Sequence, residues 1–190
     1  QFLMYWGSWL KYYGILLLQS WKTKGERCEK IYHRFAEHPF WYSFGILLLA
    51  WSPYIIIRFP AVSEWDAYHQ IIQGLGFAEI NYNWPIASTM FFATIVRWGK
   101  ILFGNYDLAM LLLVIIQSIL CACCLAYSMV VIHRLKIPSA MKLMILGIYA
   151  VATIFPRYLT AIVKDALFSC FVILFFSILI DVFLLENHER

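Results

Sequence analysis

The sequence predicts an all-α membrane protein, a polytopic bundle of about five spanning helices with two amphipathic interfacial helices in its first outer loop. Composition is the first observation behind this prediction. Hydrophobic residues make up 63% of the chain, charged residues 14%, and the mean hydropathy is +0.72. A soluble domain has roughly 45–50% apolar and about 25% charged residues. The second observation is that the apolar residues form separate runs, several of them close to the ~20 residues of a spanning helix.

Five apolar runs are the candidate spans. The first is followed by Trp21-Lys22 and not by the small residues of a cleavage site, so residues 1–20 are predicted to be an N-terminal anchor. The fourth is short. The chain begins at Gln1 without a methionine, which indicates a fragment of a longer protein. The runs are Phe2–Leu18, Phe40–Ile57, Asp107–Ile132, Met141–Phe155 and Ala166–Leu185.

The positions of the basic residues predict the topology. Residues 21–39 carry five Lys and Arg side chains. Because cytoplasmic loops are enriched in Lys and Arg, this segment is predicted to be a basic cytosolic loop. Residues 58–106 then form the first outer loop, and Pro156–Asp165 forms a second, short one. Residues 40–190 make up the membrane module.

The first of two helices predicted in the outer loop is Ile86–Phe103. Its length and apolarity resemble those of a span, but Thr89, Arg97 and Lys100 follow one helix face. A span here would also move Arg134 to the outer side, against the charge bias. We therefore expect an amphipathic helix that lies in the membrane interface.

The second predicted surface helix is Glu64–Leu75. Ser63 and Asp66 form a pattern like a capping box, S-x-x-D, at its start. Apolar side chains follow one face of this helix, and polar side chains at helical spacing follow the other. The polar side chains are Asp66, His69, Gln70 and Gln73.

Asp66 is the first candidate for chemistry. It could act only locally, by accepting the Ser63 N–H and favouring the helix dipole. A carboxylate at the membrane surface can also serve as the general base for a hydroxyl acceptor, or assist a divalent metal. His69, one turn on, could orient Asp66 or share its proton, or could simply be solvated. Gln70, on the same face, is a further candidate for substrate contact.

Lys164-Asp165 is the second candidate. Lys164 could simply extend to the membrane interface while Asp165 begins the last helix. Alternatively, Arg157 and Lys164 bind a phosphate or pyrophosphate head group, and Asp165 holds Lys164 in place.

Other chemistries find little support in the sequence. Cys121, Cys123 and Cys124 lie inside an apolar run, where they suit packing more than metal binding, so no metal site is predicted. The chain has no Walker A loop, GxSxG, HExxH or dinucleotide fingerprint. The net charge of +4 comes from basic residues beside the spans, which gives no indication of nucleic-acid binding.

A series of short motifs occurs in the order Pro60…Trp65-Asp66…Gln70, Asn83-Trp84-Pro85, Leu102-Phe103-Gly104, Gln117 and Lys164-Asp165-Ala166-Leu167-Phe168. In this order and in its topology the chain, from about residue 40 to 185, resembles the GT-C superfamily of multi-spanning glycosyltransferases, above all an uncharacterised bacterial branch. Those enzymes take a sugar from a polyprenyl-phosphate donor on the outer membrane face, and their first outer loop carries an acidic residue and juxtamembrane helices.

The resemblance implies that residues 40–190 are the N-terminal part of a GT-C-like module in a bacterial plasma membrane, with its active face extracytoplasmic. Asp66 would deprotonate the acceptor hydroxyl, and Arg157 and Lys164 would steady the departing polyprenyl phosphate. Membrane lipids and a polyprenyl-phosphate-linked sugar donor are the expected partners. Two alternatives stay open: a lipid or solute transporter or flippase, and a non-catalytic membrane assembly module. Transporters often contain inverted repeats, and this sequence has no internal repeat.

Overall fold

The computed structural model describes residues 35–81, 83–135 and 137–186. The predicted anchor, residues 1–20, and the predicted basic loop as far as residue 34 lie outside the described residues. The described chain is a bundle of α-helices with one two-residue parallel bridge between short strands. In chain order the elements are α1 (Pro39–Ile57), β1 (Val62–Ser63), α2 (Trp65–Gly74), α3 (Ile86–Phe103), α4 (Tyr106–Arg134), α5 (Ser139–Val151), α6 (Ile154–Leu159), β2 (Ala161–Ile162) and α7 (Lys164–Glu186).

Four of the described helices are long and apolar enough to cross a membrane: α1, α3, α4 and α7 as far as Phe183. The protein is therefore a multi-pass membrane protein with an all-α bundle fold. The bounds of α3 agree with the prediction, and α2 differs from its prediction by one residue at each end. That α3 lies in the interface and does not cross the membrane remains a prediction, because length and apolarity allow either arrangement.

The fourth predicted span, Met141–Phe155, is wrong at its C-terminal end. Helix α5 ends at Val151, Ala152 is extended, and Phe155 belongs to α6. The physical cause is Pro156, which has no N–H to donate to the Ala152 carbonyl in a continuous helix and whose ring would clash with it. The Phe155 N–H bonds to that carbonyl instead, at 3.0 Å. With 13 residues, α5 is only about 20 Å long, shorter than the roughly 30 Å hydrocarbon core.

Helix α4 is the centre of the bundle. It has 29 residues, about 43 Å of helix, and it packs against α1, α3 and α7. A row of its side chains at a spacing of four residues is fully buried, and only one member of this row is polar. The row consists of Leu113, Gln117, Cys121, Leu125 and Met129.

A two-residue connection folds α3 back along α4. Gly104 ends α3 with φ +66°, a left-handed conformation that glycine adopts without strain. The Asn105 side chain then caps α4 by accepting the Asp107 N–H at 2.8 Å. The two helices approach so closely that a Cβ on Gly99 would lie 2.8 Å from the Cβ of Ala109.

Polar side chains mark two levels of the bundle. At one level Arg134 of α4 forms an ion pair with Asp181 of α7, and the Tyr127 hydroxyl donates to the same carboxylate at 3.0 Å. Gln117 of α4 and Lys164 of α7 mark the other level. Each lies seventeen residues before the first-level residue of its own helix, about 26 Å away along the helix axis. This separation is close to the thickness of the hydrocarbon core.

We expect Gly99→Leu to be less stable than the matched variant Gly45→Leu by about 1–3 kcal/mol, because the larger side chain would force α3 away from α4. Both variants gain the same helix propensity. Gly45 has no atom within 4 Å of an added Cβ, so its substitution is not crowded. Thermal unfolding in lipid bicelles, followed by tryptophan fluorescence, measures the difference. Equal stabilities would contradict the close packing of the two helices.

Candidate functional site

A short parallel bridge joins the two predicted outer segments. Val62 pairs with Ala161 and Ser63 with Ile162. Helix α2 begins two residues after the first strand, and α7 begins two residues after the second. Because the strands are parallel and the spacing is equal, the N-terminal turns of α2 and α7 lie side by side.

Asp66 and Lys164 meet across these two helix starts. The Nζ atom of Lys164 lies 3.4 Å from Oδ2 of Asp66, although 98 residues separate them. The Asp66 side chain is 55% exposed and that of Lys164 is 25% exposed. An ion pair this accessible stabilises a fold by about 0–1 kcal/mol, so it does not hold the two segments together by itself.

Gln117 fixes the second outer segment to α4. Its Nε2 atom donates to the carbonyls of Leu159 at 3.1 Å and Ala161 at 2.6 Å, and its side chain is fully buried. Ser118 adds a bond from its hydroxyl to the Leu159 carbonyl at 3.3 Å. The second strand of the bridge is therefore anchored in the bundle core. Within the described residues the Oε1 atom of Gln117 has no hydrogen-bond partner.

Helix α2 is fixed to α3 in a similar way. Gln70 Oε1 accepts a bond from the Ser88 hydroxyl at 2.9 Å, and Arg97 donates to the Gly74 carbonyl at 3.3 Å. A Cβ on Gly74 would lie 2.4 Å from the Cβ of Ala93, so only glycine permits this approach. Asp66 is thus carried by a helix that is fixed at both ends.

His69 contacts two indole rings. Its ring contacts Trp65, with centroids 4.4 Å apart, and stacks on Trp84 at 5.7 Å with an interplanar angle of 5°. Among the described residues no hydrogen bond joins His69 to Asp66. The partner of Asp66 is instead Lys164, the predicted site residue of the second outer segment.

Asp66 and Lys164 both line a polar cavity of about 380 Å³, which we call the polar cavity. Gln70 borders it although its side chain is only 1% exposed. The polar residues around this cavity are Glu64, Asp66, Gln70, Tyr158, Lys164 and Asp165. The described lining of the cavity therefore places one cation among three carboxylates.

An apolar groove of about 410 Å³ adjoins the polar cavity, and we call it the α3–α7 groove. Phe91 of α3, Leu120 of α4 and Phe171 of α7 are among its lining residues. Lys164 and Asp165 border both the groove and the polar cavity. A single molecule with a polar head and an apolar chain can therefore occupy the two together.

A second apolar groove, of about 320 Å³, lies on another face of α7, and we call it the α6–α7 groove. Ile154 and Phe155 of α6 and Cys170 and Ile173 of α7 line it. It too adjoins the polar cavity, because Tyr158 and Asp165 border both.

Arg157, like His69, is a predicted site residue that lies outside the polar cavity and both grooves. Its backbone carbonyl accepts a bond from Arg58 Nη1 at 2.8 Å, which ties α6 to the end of α1. Arg58 was not predicted as a partner, since the sequence shows only that it follows an apolar run.

In the described residues no group of three or more His, Cys, Asp or Glu side chains is arranged to hold a metal ion.

A comparison with protein families finds one match, which covers residues 78–190, more than half of the chain. The chain belongs to DUF6020, a family of unknown function. No curated protein matches the chain, and no solved structure does. The DUF6020 match contains α3 to α7, and with them Gln117, Lys164 and Asp165, whereas Asp66 precedes it.

Within the DUF6020 segment, we expect Gln117→Leu to lower the free energy of unfolding by about 1–3 kcal/mol, because the Ala161 carbonyl loses its side-chain donor. Ser118→Ala is the matched control with a smaller loss, about 0.5–1.5 kcal/mol, since Leu159 keeps its bond from Gln117. Oxidative cross-linking of the pair Ser63→Cys and Ile162→Cys reports whether the bridge persists. An unchanged cross-linking yield in Gln117→Leu would show that this side chain does not fix the bridge.

Proposed function

We propose that the protein is a membrane glycosyltransferase of the inverting type, or part of one, which moves a sugar from a polyprenyl-phosphate donor to an acceptor hydroxyl. Its active face would be the extracytoplasmic side of a bacterial plasma membrane. One observation carries the proposal: Lys164 and Asp165 are a common border of the polar cavity that contains Asp66 and of the apolar α3–α7 groove. The resemblance of the motif order to GT-C enzymes supports it.

The donor head group would bind at Lys164. A phosphate attracts the ammonium group of this side chain, and the neighbouring N-terminal turns of α2 and α7 favour negative charge. In the structure the same ammonium pairs with Asp66 at 3.4 Å. Donor binding would therefore draw Lys164 from Asp66 to the phosphate and free the carboxylate for proton transfer.

The donor chain would lie in the α3–α7 groove. Its walls are almost entirely apolar, with Phe91, Leu120 and Phe171 along its length. An isoprenoid chain already lies among lipid tails in the bilayer, so its position in the groove depends on van der Waals packing and not on removal from water. The groove thus restricts the reacting phosphate to the neighbourhood of Asp66.

The chemical step is a displacement at the anomeric carbon. The acceptor oxygen forms a bond to that carbon while its proton passes to the Asp66 carboxylate. The bond from the anomeric carbon to the phosphate oxygen breaks, and its electron pair leaves with the polyprenyl phosphate beside Lys164. Asp66 acts as general base in this step, and Lys164 compensates the charge on the leaving group.

We expect Asp66→Asn to lower the rate of glycosyl transfer by about 10²–10⁴-fold, because the amide keeps the shape and cannot accept the proton. Glu64→Gln, at the edge of the same cavity, is the matched control and should stay within a few-fold of the unmodified protein. The assay uses the full-length protein in nanodiscs with a panel of radiolabelled polyprenyl-phosphate sugars. Full activity of Asp66→Asn would reject Asp66 as the base, as expected for an assembly module.

We expect Lys164→Gln to weaken binding of farnesyl phosphate by about tenfold or more, the loss of one charge-assisted bond of about 1.5–3 kcal/mol. Lys164→Arg keeps the charge and should retain most of the affinity. Calorimetric titration in nanodiscs measures both, and farnesol serves as the uncharged reference ligand. Equal affinity for farnesyl phosphate in all three proteins would remove Lys164 from the head-group site.

A further inference from the structure

The two grooves lie on different faces of α7. Leu167, Phe168 and Phe171 contribute to the α3–α7 groove, whereas Cys170 and Ile173 contribute to the α6–α7 groove. Both grooves reach the polar cavity at the first turn of α7, and Asp165 borders all three spaces. Two apolar chains can therefore lie in the grooves at once, one along each face of α7, with both head groups in the polar cavity.

The polar groups at the two mouths differ in charge. The mouth of the α3–α7 groove has both the ammonium of Lys164 and the carboxylate of Asp165, and the ammonium can bind a phosphate. Among the residues that the structure describes, no Lys or Arg lines the α6–α7 groove; its mouth is formed by Tyr158 and Asp165, and Ser169 lies further along. A carboxylate and a phenol favour a hydroxyl group that donates a hydrogen bond, and they disfavour an anion.

We propose that the α6–α7 groove binds the chain of a second lipid, a neutral lipid that presents its hydroxyl group to the polar cavity as the acceptor. This inference rests on the proposed function and names its acceptor class. The sugar then passes between two lipids held on two faces of α7. The acceptor hydroxyl gives its proton to Asp66 and forms the new bond to the anomeric carbon, and the phosphate leaves on the lipid in the other groove.

Photoaffinity labelling of the full chain in phosphatidylcholine nanodiscs tests the inference without knowledge of the sugar. One probe is a long-chain alcohol with a diazirine in its chain, and the other is farnesyl phosphate with the same group. Mass spectrometry maps the labelled residues. We expect saturable labelling near Ile154 and Ile173 by the alcohol, and near Phe91 and Phe171 by the phosphate. Excess unlabelled farnesyl phosphate should abolish only the second.

Groove-filling variants give the matched controls. Ser169→Trp should lower the affinity of the alcohol probe at least about tenfold, because the indole ring occupies the groove and removes packing contacts of the chain worth about 1.4 kcal/mol or more. Ile173→Phe, which fills the groove further along, should act in the same direction. Ala87→Trp should affect only the phosphate probe. Ile180→Trp, at an exposed position of α7 that borders neither groove, should affect neither.

The possible results separate the inference from the proposed function. Alcohol labelling that does not saturate, that occurs in the α3–α7 groove, or that is unchanged in both Ser169→Trp and Ile173→Phe overturns the acceptor-lipid site. The same holds if no alcohol labelling occurs because another polypeptide segment covers the α6–α7 groove. If the alcohol labels as expected but the phosphate probe fails to label the α3–α7 groove in a Lys164-dependent way, the donor assignment fails and the second lipid site stands.

Discussion

Gln117 lies in α4, whose other buried side chains are mainly apolar. Its amide donates hydrogen bonds to the backbone carbonyls of Leu159 and Ala161, in a segment about forty residues later in the chain. A buried amide without such partners would cost about 1–3 kcal/mol, so the helix and the segment are strongly coupled. The segment contains β2, which pairs with β1 and so positions both α2 and α7. The exposed Asp66–Lys164 pair is a result of this arrangement and contributes little to it.

It matters for function that the backbone bridge, and not the ion pair, fixes the two helices. A carboxylate and an ammonium that held the fold together could not separate without loss of structure. Here the backbone bridge and the Gln117 bonds already fix the positions of α2 and α7, so the two charged groups can exchange partners at small cost. An anionic head group can take Lys164 while Asp66 stays on a helix fixed to α3 by Gln70 and Gly74.

The sequence predicted local structure better than distant contacts. The hydrophobic periodicity located α3, and the charge bias put Asp66 and Lys164 in outer segments on the same side of the membrane, which allowed them to share a site. Spacing along a helix reveals a face but not its partner, so the bonds of Gln117 to the second outer segment and of Gln70 to Ser88 were not predictable. The end of α5 was missed for another reason: Pro156 acts on the carbonyl four residues before it, inside an apolar run that hydropathy alone treats as continuous.

The position of α7 between two grooves also bears on stereochemistry. Inversion at an anomeric carbon requires the acceptor oxygen and the leaving phosphate to lie on opposite faces of the sugar ring. Two lipids that enter one small cavity from different faces of a helix approach the sugar from different directions, with Lys164 on one side and Tyr158 on the other. Asp165 borders both grooves, but Lys164 offsets its charge only on the donor side, so a second phosphate is disfavoured on the acceptor side. The distribution of charge around the first turn of α7 would thus determine which lipid gives the sugar and which receives it.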